Sequence, residues 1–88
     1  MSNIQETIKS ILVNDLFVEV PEHEIGVDDG LRNIFGLDSL GFVELRVQCE
    51  DRFGITISDE DFDPENFATI RQLAHLVENL QATRAESA

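Results

Sequence analysis

A helix start at Asp38-Ser39 is the sequence feature that most constrains the fold of this chain. Gly36 ends a long loop just before this pair, and apolar residues at helical spacing begin just after it. Asp and Ser cap helix N-termini because their side-chain oxygens accept hydrogen bonds from backbone N–H groups that have no helical partner. The chain is therefore expected to leave a loop and enter a helix here, with Ser39 exposed in the first turn.

The position of Ser39 also suits it to a particular modification. Helix N-termini favour anions, because the free backbone N–H groups and the helix dipole both place positive charge there. A hydroxyl held at such a point is therefore well placed to carry a phosphate group. Most Asp-Ser pairs before helices are nevertheless only caps, so the rest of the chain has to support this interpretation.

Apolar residues recur at helical spacing in three stretches, which predicts helices over residues 3–16, over residues 39–53 with Gly54 as C-cap, and from a cap at Thr69 onward. The stripe of the first helix consists of Ile4, Ile8, Ile11, Leu12 and Leu16, and that of the last consists of Ile70, Leu73, Ala74, Val77 and Leu80. A short helix is also expected within residues 58–67, where a serine and a proline can each open a turn. The expected fold class is all-α: a small four-helix bundle of three main helices and a short third helix.

A long loop, residues 17–37, connects the first two helices and shows no sustained period. Loops of this length in compact domains are usually functional or anchored. We expect Leu31–Phe35 to form a helical turn and apolar side chains to anchor the loop against the helices. The expected anchors are Phe17, Val20, Ile25, Val27, Leu31, Ile34 and Phe35.

The second helix has two apolar stripes on nearly opposite sides. At 100° per residue, the core-facing stripe consists of Phe42, Leu45, Cys49 and Phe53. The other stripe consists of Leu40, Val43 and Val47, bordered by Glu44, Glu50 and Asp51. A helix in so small a domain cannot easily bury both sides, so the second stripe is expected to be exposed for partner docking. The alternative is that the long loop covers it.

Size and charge limit the classes of function. The 88 residues are expected to form one domain over residues 1–82 and a flexible tail over residues 83–88. The net charge of −12 disfavours nucleic acid and anionic membranes and favours partners with basic surfaces. One cysteine excludes a disulfide framework, and the N-terminus shows neither a signal peptide nor a membrane span, so a cytoplasmic protein is expected.

No catalytic constellation is visible in the sequence. Ser39 lacks a Gly-x-Ser-x-Gly elbow, and neither histidine of the chain is tied to it by sequence context. The acidic segment with Asp59, Asp61 and Asp63 begins like a calcium-binding loop, but a proline stands where that loop needs glycine. We therefore expect neither an enzyme nor a metal site.

The segment Gly36-Leu37-Asp38-Ser39-Leu40, followed by Val43-Glu44-Leu45 and later by Phe53-Gly54-Ile55, resembles the attachment segment of acyl carrier proteins. The likeness covers nearly the whole chain, from the first helix and the long loop to the final helix. It implies that Ser39 receives 4′-phosphopantetheine from coenzyme A, and that the thiol of this arm carries acyl groups as thioesters. It also implies that a separate phosphopantetheinyl transferase activates the hydroxyl, so that the carrier is not itself an enzyme.

The remaining site residues follow from the same resemblance. Asp38 corresponds to the adjacent acid that helps to engage the transferase. The family's partner-binding positions correspond to Leu40, Val43, Glu44, Val47, Glu50, Asp51 and Asp59. The resemblance implies a monomer that docks acyltransferase, ketosynthase or acyl-ligase type enzymes through their basic patches.

Two positions depart from the fatty-acid type of carrier. Gly41 stands where many of those carriers have an acid, and Phe42 replaces a small polar residue and is expected to fill space that a long acyl chain would need. Free-standing carriers of polyketide and other secondary pathways resemble the chain better, and short or polar cargo on an exposed arm is expected. The alternative to a carrier is a small acidic helical adaptor that docks a basic partner and is never modified.

Overall fold

Three α-helices form the structure, a computed structural model that describes the backbone of residues 3–87 and the side chains of residues 4–83. In chain order, the elements are α1 (Asn3–Ser10), a π-helical turn (Ile11–Asp15), a 3-10 turn (Glu22–Glu24), α2 (Ser39–Phe53) and α3 (Ile70–Ser87). The first helical stretch thus ends one residue before the predicted boundary. Residues 3–87 contain no strand, and the all-α prediction is confirmed.

Both ends of α2 are set by local sequence. Asp38 has extended backbone, and its Oδ1 accepts the Gly41 N–H at 2.8 Å, which satisfies one N–H group of the first turn. At the other end, Gly54 is left-handed with a φ of 64°, and its N–H donates to the Glu50 carbonyl oxygen. The predicted helix start and the predicted glycine cap are both confirmed.

The helices each bury one side in a common core. The buried side chains of the helical elements are Ile8, Ile11, Leu12, Leu45, Cys49, Ile70, Leu73, Ala74, Leu76 and Val77. A fully buried Leu or Ile contributes roughly 1.5–3 kcal/mol relative to an exposed one, so this core holds the helices together. Phe42 and Phe53, which were expected on the core stripe of α2, are only half-buried at its edge.

The short third helix is not observed as a helix. The segment before α3 makes two separate turns: the Phe62 N–H donates to the Ser58 carbonyl oxygen at 3.0 Å, and the Phe67 N–H donates to the Asp63 carbonyl oxygen at 3.2 Å. Pro64 lies between these turns and has no N–H with which to extend the first one. The four-helix detail of the predicted bundle is therefore not confirmed.

The long loop is fastened to the start of α3. The Leu31 N–H donates to the Ala68 carbonyl oxygen, and the Arg71 N–H donates to the Val27 carbonyl oxygen, both at 2.9 Å. The Arg71 guanidinium also holds the two carboxylate oxygens of Asp28, at 2.6 and 3.0 Å, and this hydrogen bonding lowers the pKa of the Asp28 carboxyl. These contacts fix the end of the loop and so position the start of α2.

Most of the expected loop anchors contact the core, but two do not. The anchors that are buried or packed against the core are Val20, Ile25, Val27, Leu31 and Phe35. Phe17 and Ile34 are 79% and 59% exposed, so their assignment as anchors is wrong. The Val18 N–H donates to the Leu12 carbonyl oxygen where the chain leaves the π-helical turn, and this tight reversal leaves Phe17 in solvent. The helical turn at Leu31–Phe35 is confirmed.

Phe17→Gly should stabilise the fold. Phe17 has a φ of 57°, a left-handed conformation that costs a residue with a side chain roughly 1–2 kcal/mol. Little buried area is lost when the exposed ring is removed. The greater conformational freedom of glycine in the unfolded chain offsets about 0.5–1 kcal/mol of the strain that is relieved. We expect the free energy of unfolding, measured by chemical denaturation, to rise by about 0.5–1 kcal/mol.

Gly36→Ala is the matched control for this stability prediction. Gly36 has a φ of 70°, and no atom lies within 4 Å of an added Cβ, so the alanine meets conformational strain without a steric clash. Its free energy of unfolding should fall by about 1 kcal/mol. Loss of stability in the Phe17 variant would contradict the argument from left-handed strain.

Helix α3 runs past the expected end of the domain. Its backbone stays helical to Ser87, although the flexible tail was expected to begin at residue 83. Residues 1, 2 and 88 of the expected domain and tail lie outside the described residues. The division between residues 82 and 83 stays a prediction. None of the helices within residues 3–87 combines the length and apolar character needed to cross a membrane.

Candidate functional site

Ser39 is the first residue of α2, and it is exposed. The capping hydrogen bond at this helix end is made by Asp38, so the Ser39 hydroxyl is not used to cap the helix. Leu37 is buried and holds the end of the loop against the core. The hydroxyl therefore lies at a fixed, accessible point at the start of a 15-residue helix, where the dipole favours an anionic group.

An apolar cleft, here called the Ser39 cleft, opens between α2 and the segment before α3. Its residues on α2 are Ser39, Phe42 and Val43, and those of the facing segment are Phe62, Asp63, Pro64, Phe67, Ala68 and Thr69. The Phe62 and Phe67 rings meet edge to face with their centroids 5.0 Å apart, so the facing wall contains a pair of packed aromatic rings. The Phe42 ring does not fill the space between the elements as expected, but forms one wall of the cleft.

Arg32 belongs to this site, although the sequence pattern did not single it out. It is the one basic side chain among the described residues that line the Ser39 cleft, and its guanidinium carbon lies 5.8 Å from the Phe42 ring centroid. Only the folded loop brings Arg32 beside α2, so no periodic signal could have revealed it. Arg32 therefore adds a positive charge to the cleft that Ser39 also lines.

The outer side of α2 carries five exposed side chains, here called the exposed α2 face. Leu40, Val43 and Val47 are exposed to 79%, 47% and 48%, so the alternative that the long loop covers them is wrong. Glu44 and Asp51 are exposed on the same side of the helix. This face combines apolar and acidic groups as predicted, and its role in docking stays a prediction.

Two predicted partner-binding acids are engaged within the chain. Glu50 is half-buried, and its carboxylate accepts the Ile57 N–H at 2.8 Å. Asp59 accepts a hydrogen bond from Arg46 at 3.1 Å, although its side chain remains 97% exposed. The structure therefore turns Glu50 away from the exposed α2 face, while Asp59 stays accessible with part of its charge offset.

Packing around the helix start explains the glycine at position 41. A Cβ added to Gly41 would lie 3.3 Å from Cγ of Leu37 and 3.4 Å from Oδ1 of Asp38. An acidic side chain there would crowd the buried leucine and place a second negative charge near the capping carboxylate. Glycine at this position therefore avoids both a steric and an electrostatic cost.

Cys49 should be unreactive in the native protein. It is the only cysteine of the chain, and burial, aided by the neighbouring Glu50 charge, raises the pKa of its thiol to about 12. Because the thiolate is the reactive form, we expect iodoacetamide near neutral pH to alkylate Cys49 in denaturant but not in the folded chain. Intact mass measures this, and rapid alkylation of the folded chain would contradict the burial.

The same burial has a consequence for stability at high pH. The folded chain holds the Cys49 proton more tightly than the unfolded chain, whose thiol pKa is near its ordinary value. The unfolded state therefore binds fewer protons in the interval between the two pKa values. This thiol should lower the free energy of unfolding as the pH rises from about 9 towards 12.

An all-helical domain with an accessible serine at a helix start, beside an apolar cleft and an acidic helix face, has the organisation of a carrier. The family model described as Phosphopantetheine attachment site matches residues 6–77, and the chain belongs to this family. Such domains are non-catalytic carriers to which a phosphopantetheinyl transferase attaches 4′-phosphopantetheine covalently. The family match confirms the expected cofactor and the expectation that the chain is a substrate of the transferase rather than an enzyme.

Proposed function

We propose that this chain is an acyl carrier protein that bears phosphopantetheine on Ser39 and moves acyl intermediates between the enzymes of a polyketide or fatty-acid-type pathway. The observation that carries the proposal is the position of Ser39, the exposed first residue of α2, whose cap is provided by Asp38. The N–H groups of the first turn and the Arg32 cation suit a phosphate, and the Ser39 cleft offers apolar walls beside it. When bound, the arm supplies a thiol that holds acyl groups as thioesters.

The residues of the chain have distinct tasks in this proposal. The Ser39 oxygen forms the bond to phosphorus as the pyrophosphate bond of coenzyme A breaks and adenosine 3′,5′-bisphosphate leaves, and the transferase accepts the hydroxyl proton. Asp38 presents a carboxylate beside the hydroxyl to engage the transferase. The exposed α2 face then docks the transferase and the acyl-handling enzymes, whose basic patches complement Glu44 and Asp51.

The pathway and the cargo are the finer part of the proposal. We assign the chain to the free-standing carriers of polyketide or related secondary pathways, acting as a monomer in the cytoplasm with acyltransferase, ketosynthase or acyl-ligase type partners. The glycine at position 41 and the ring of Phe42 support this assignment, because both depart from the fatty-acid type. We further propose that the two turns within residues 58–67 take the place of the short third helix of a four-helix bundle.

One experiment separates the carrier from the alternative of an unmodified adaptor. The folded chain is incubated with coenzyme A and a promiscuous phosphopantetheinyl transferase, and the product is analysed by intact mass. Because Cys49 is buried, attachment of the arm should also create one thiol that iodoacetamide alkylates without denaturant. An unmodified adaptor would show neither the mass increase nor the new thiol.

A further inference from the structure

Arg46 of α2 reaches across to the segment that forms the opposite wall of the Ser39 cleft. Its Nη1 donates to Oδ1 of Asp59 at 3.1 Å, and its Nη2 donates to the carbonyl oxygen of Ile57. Its guanidinium carbon also lies 5.0 Å from the centroid of the Phe62 ring. Only 23% of the Arg46 side chain is exposed, so its contacts with the Ile57 carbonyl oxygen and the Phe62 ring are partly shielded from solvent, whereas the ion pair to the exposed Asp59 is weakened by it.

A second side chain of α2 holds the same segment. Glu50, one turn after Arg46, accepts the Ile57 N–H at 2.8 Å, so side chains of α2 satisfy both backbone polar groups of Ile57. The Ile57 side chain is itself fully buried. We call this set the clasp: it consists of Arg46 and Glu50 on α2 and of Ile57, Asp59 and Phe62 on the segment.

The clasp joins the two walls of the Ser39 cleft. Phe42 and Val43 line the cleft from α2, and Phe62 lines it from the clasped segment. The Phe62 ring is held between the Arg46 guanidinium and the edge-to-face contact with Phe67. If a long apolar chain is admitted by moving Phe62 away from α2, this movement breaks the contact between the Arg46 guanidinium and the Phe62 ring.

We infer that Arg46 is a positioning residue that limits the length of acyl chain that the carrier can shelter beside Ser39. The inference rests on the proposed function, because the chain reaches the cleft only from an arm on Ser39. It accounts for an aromatic cleft in a carrier of short or polar groups. A short group needs no widening of the cleft, whereas a long one must displace Phe62 against the clasp.

The test compares Arg46→Met with the wild type, with Arg46→Lys and with Arg52→Met. Met is long enough to keep the packing of the stem but removes every polar contact, whereas Lys keeps the charge without the fork that holds Asp59 and Ile57 together. Arg52 also makes an ion pair across elements, to Asp15 at 3.0 Å, but this pair ties α2 to the π-helical turn, whereas Arg46 contacts Phe62 of the Ser39 cleft. Arg52→Met therefore controls for the loss of an arginine from α2.

Each variant is loaded on Ser39 with an acetyl or an octanoyl group, which intact mass verifies, and the thioester is then cleaved with hydroxylamine. In the wild type and in Arg52→Met, the two acyl groups should be cleaved at nearly equal rates. In Arg46→Met, the octanoyl group should be cleaved about threefold more slowly than in the wild type. This is the rate expected when the thioester is exposed in only about one third of the molecules at any time. The cleavage rate of the octanoyl group in Arg46→Lys should lie between the rates in the wild type and in Arg46→Met. Octanoyl-specific NMR shifts at Phe42 and Phe62 should follow the same order.

A second readout uses the unloaded chain. The Phe62 N–H donates to the Ser58 carbonyl oxygen, so its hydrogen exchange reports opening of the clasped segment. Arg46→Met should speed this exchange about tenfold, and Arg52→Met should not. The inference is overturned if octanoyl Arg46→Met has the same cleavage rate and the same NMR shifts as the octanoyl wild type. This covers the case in which the wild type already protects the octanoyl thioester as strongly as the variant does. Failure of the proposed function gives a different result. Neither the wild type nor any variant would then gain the mass of phosphopantetheine, but hydrogen exchange of the Phe62 N–H could still be measured in the unmodified chains.

Discussion

Ser39→Ala should abolish transfer of phosphopantetheine to this chain and leave the fold intact. We propose that the Ser39 hydroxyl alone bonds to the phosphorus of phosphopantetheine, so no residual modification is expected in the variant. Asp38 still caps α2 in the variant, and position 39 is exposed, so the free energy of unfolding should change by less than about 0.5 kcal/mol. Intact mass after incubation with coenzyme A and a transferase measures the modification, and circular dichroism measures the helicity.

Ser10→Ala is the matched control for this variant. Ser10 ends α1, away from the Ser39 cleft, and its hydroxyl only accepts a hydrogen bond from the Asn14 amide. This variant should be modified as fully as the wild type and should gain the same single reactive thiol. A mass increase that persists in folded Ser39→Ala would place the attachment on another residue and reject the assignment.

Glu44→Lys should weaken binding of the transferase, or of an acyl-handling partner, about tenfold at low salt, which corresponds to about 1.4 kcal/mol. Glu44 lies on the exposed α2 face, where a lysine would stand against the basic patch of the partner. Its one side-chain hydrogen bond is to the Gln48 amide, so the helix should remain intact. Binding titrations at low and high salt measure the effect, which should shrink as salt screens the charges.

Glu78→Lys is the control that makes the same change in net charge at another place. Glu78 is exposed on α3, outside the exposed α2 face. Its effect on binding should be much smaller, because it alters only the overall field of the chain. Equal losses in the two variants would show that net charge matters and that this face does not. If the binding affinity of the wild type is the same at low and high salt, the electrostatic part of the proposal is contradicted.

The start and end of α2 could be predicted because the interactions at helix ends are local. The Asp38 cap acts on an N–H group three residues away, and the Gly54 cap needs only the conformational freedom of glycine. The exposure of Leu40 and Val47 also followed from the pattern, because a small domain has no second core for that side of the helix. The accessible position of Ser39 therefore required no knowledge of the tertiary structure.

The limits of such reasoning appear where a side chain has more than one partner within reach. Angular position along α2 places Glu50 next to the apolar stripe, but the carboxylate turns to the N–H of Ile57, which only the packed segment brings near. Phe17 and Phe35 are both apolar loop residues, and a left-handed backbone at Phe17 leaves that ring in solvent. Neither outcome has a periodic signal.

Local propensity and periodicity were thus sufficient for an all-α chain, for the helix that begins at Ser39 and for its acidic outer face. Packing between distant segments decided the rest: the Ser39 cleft, the Arg32 cation at its edge and the clasp of Arg46. These features join residues far apart in the chain, as Arg46 and Asp59 are 13 positions apart and Asp28 and Arg71 are 43 apart. Helical periods relate residues three or four apart, so contacts over such distances form only when the elements pack together.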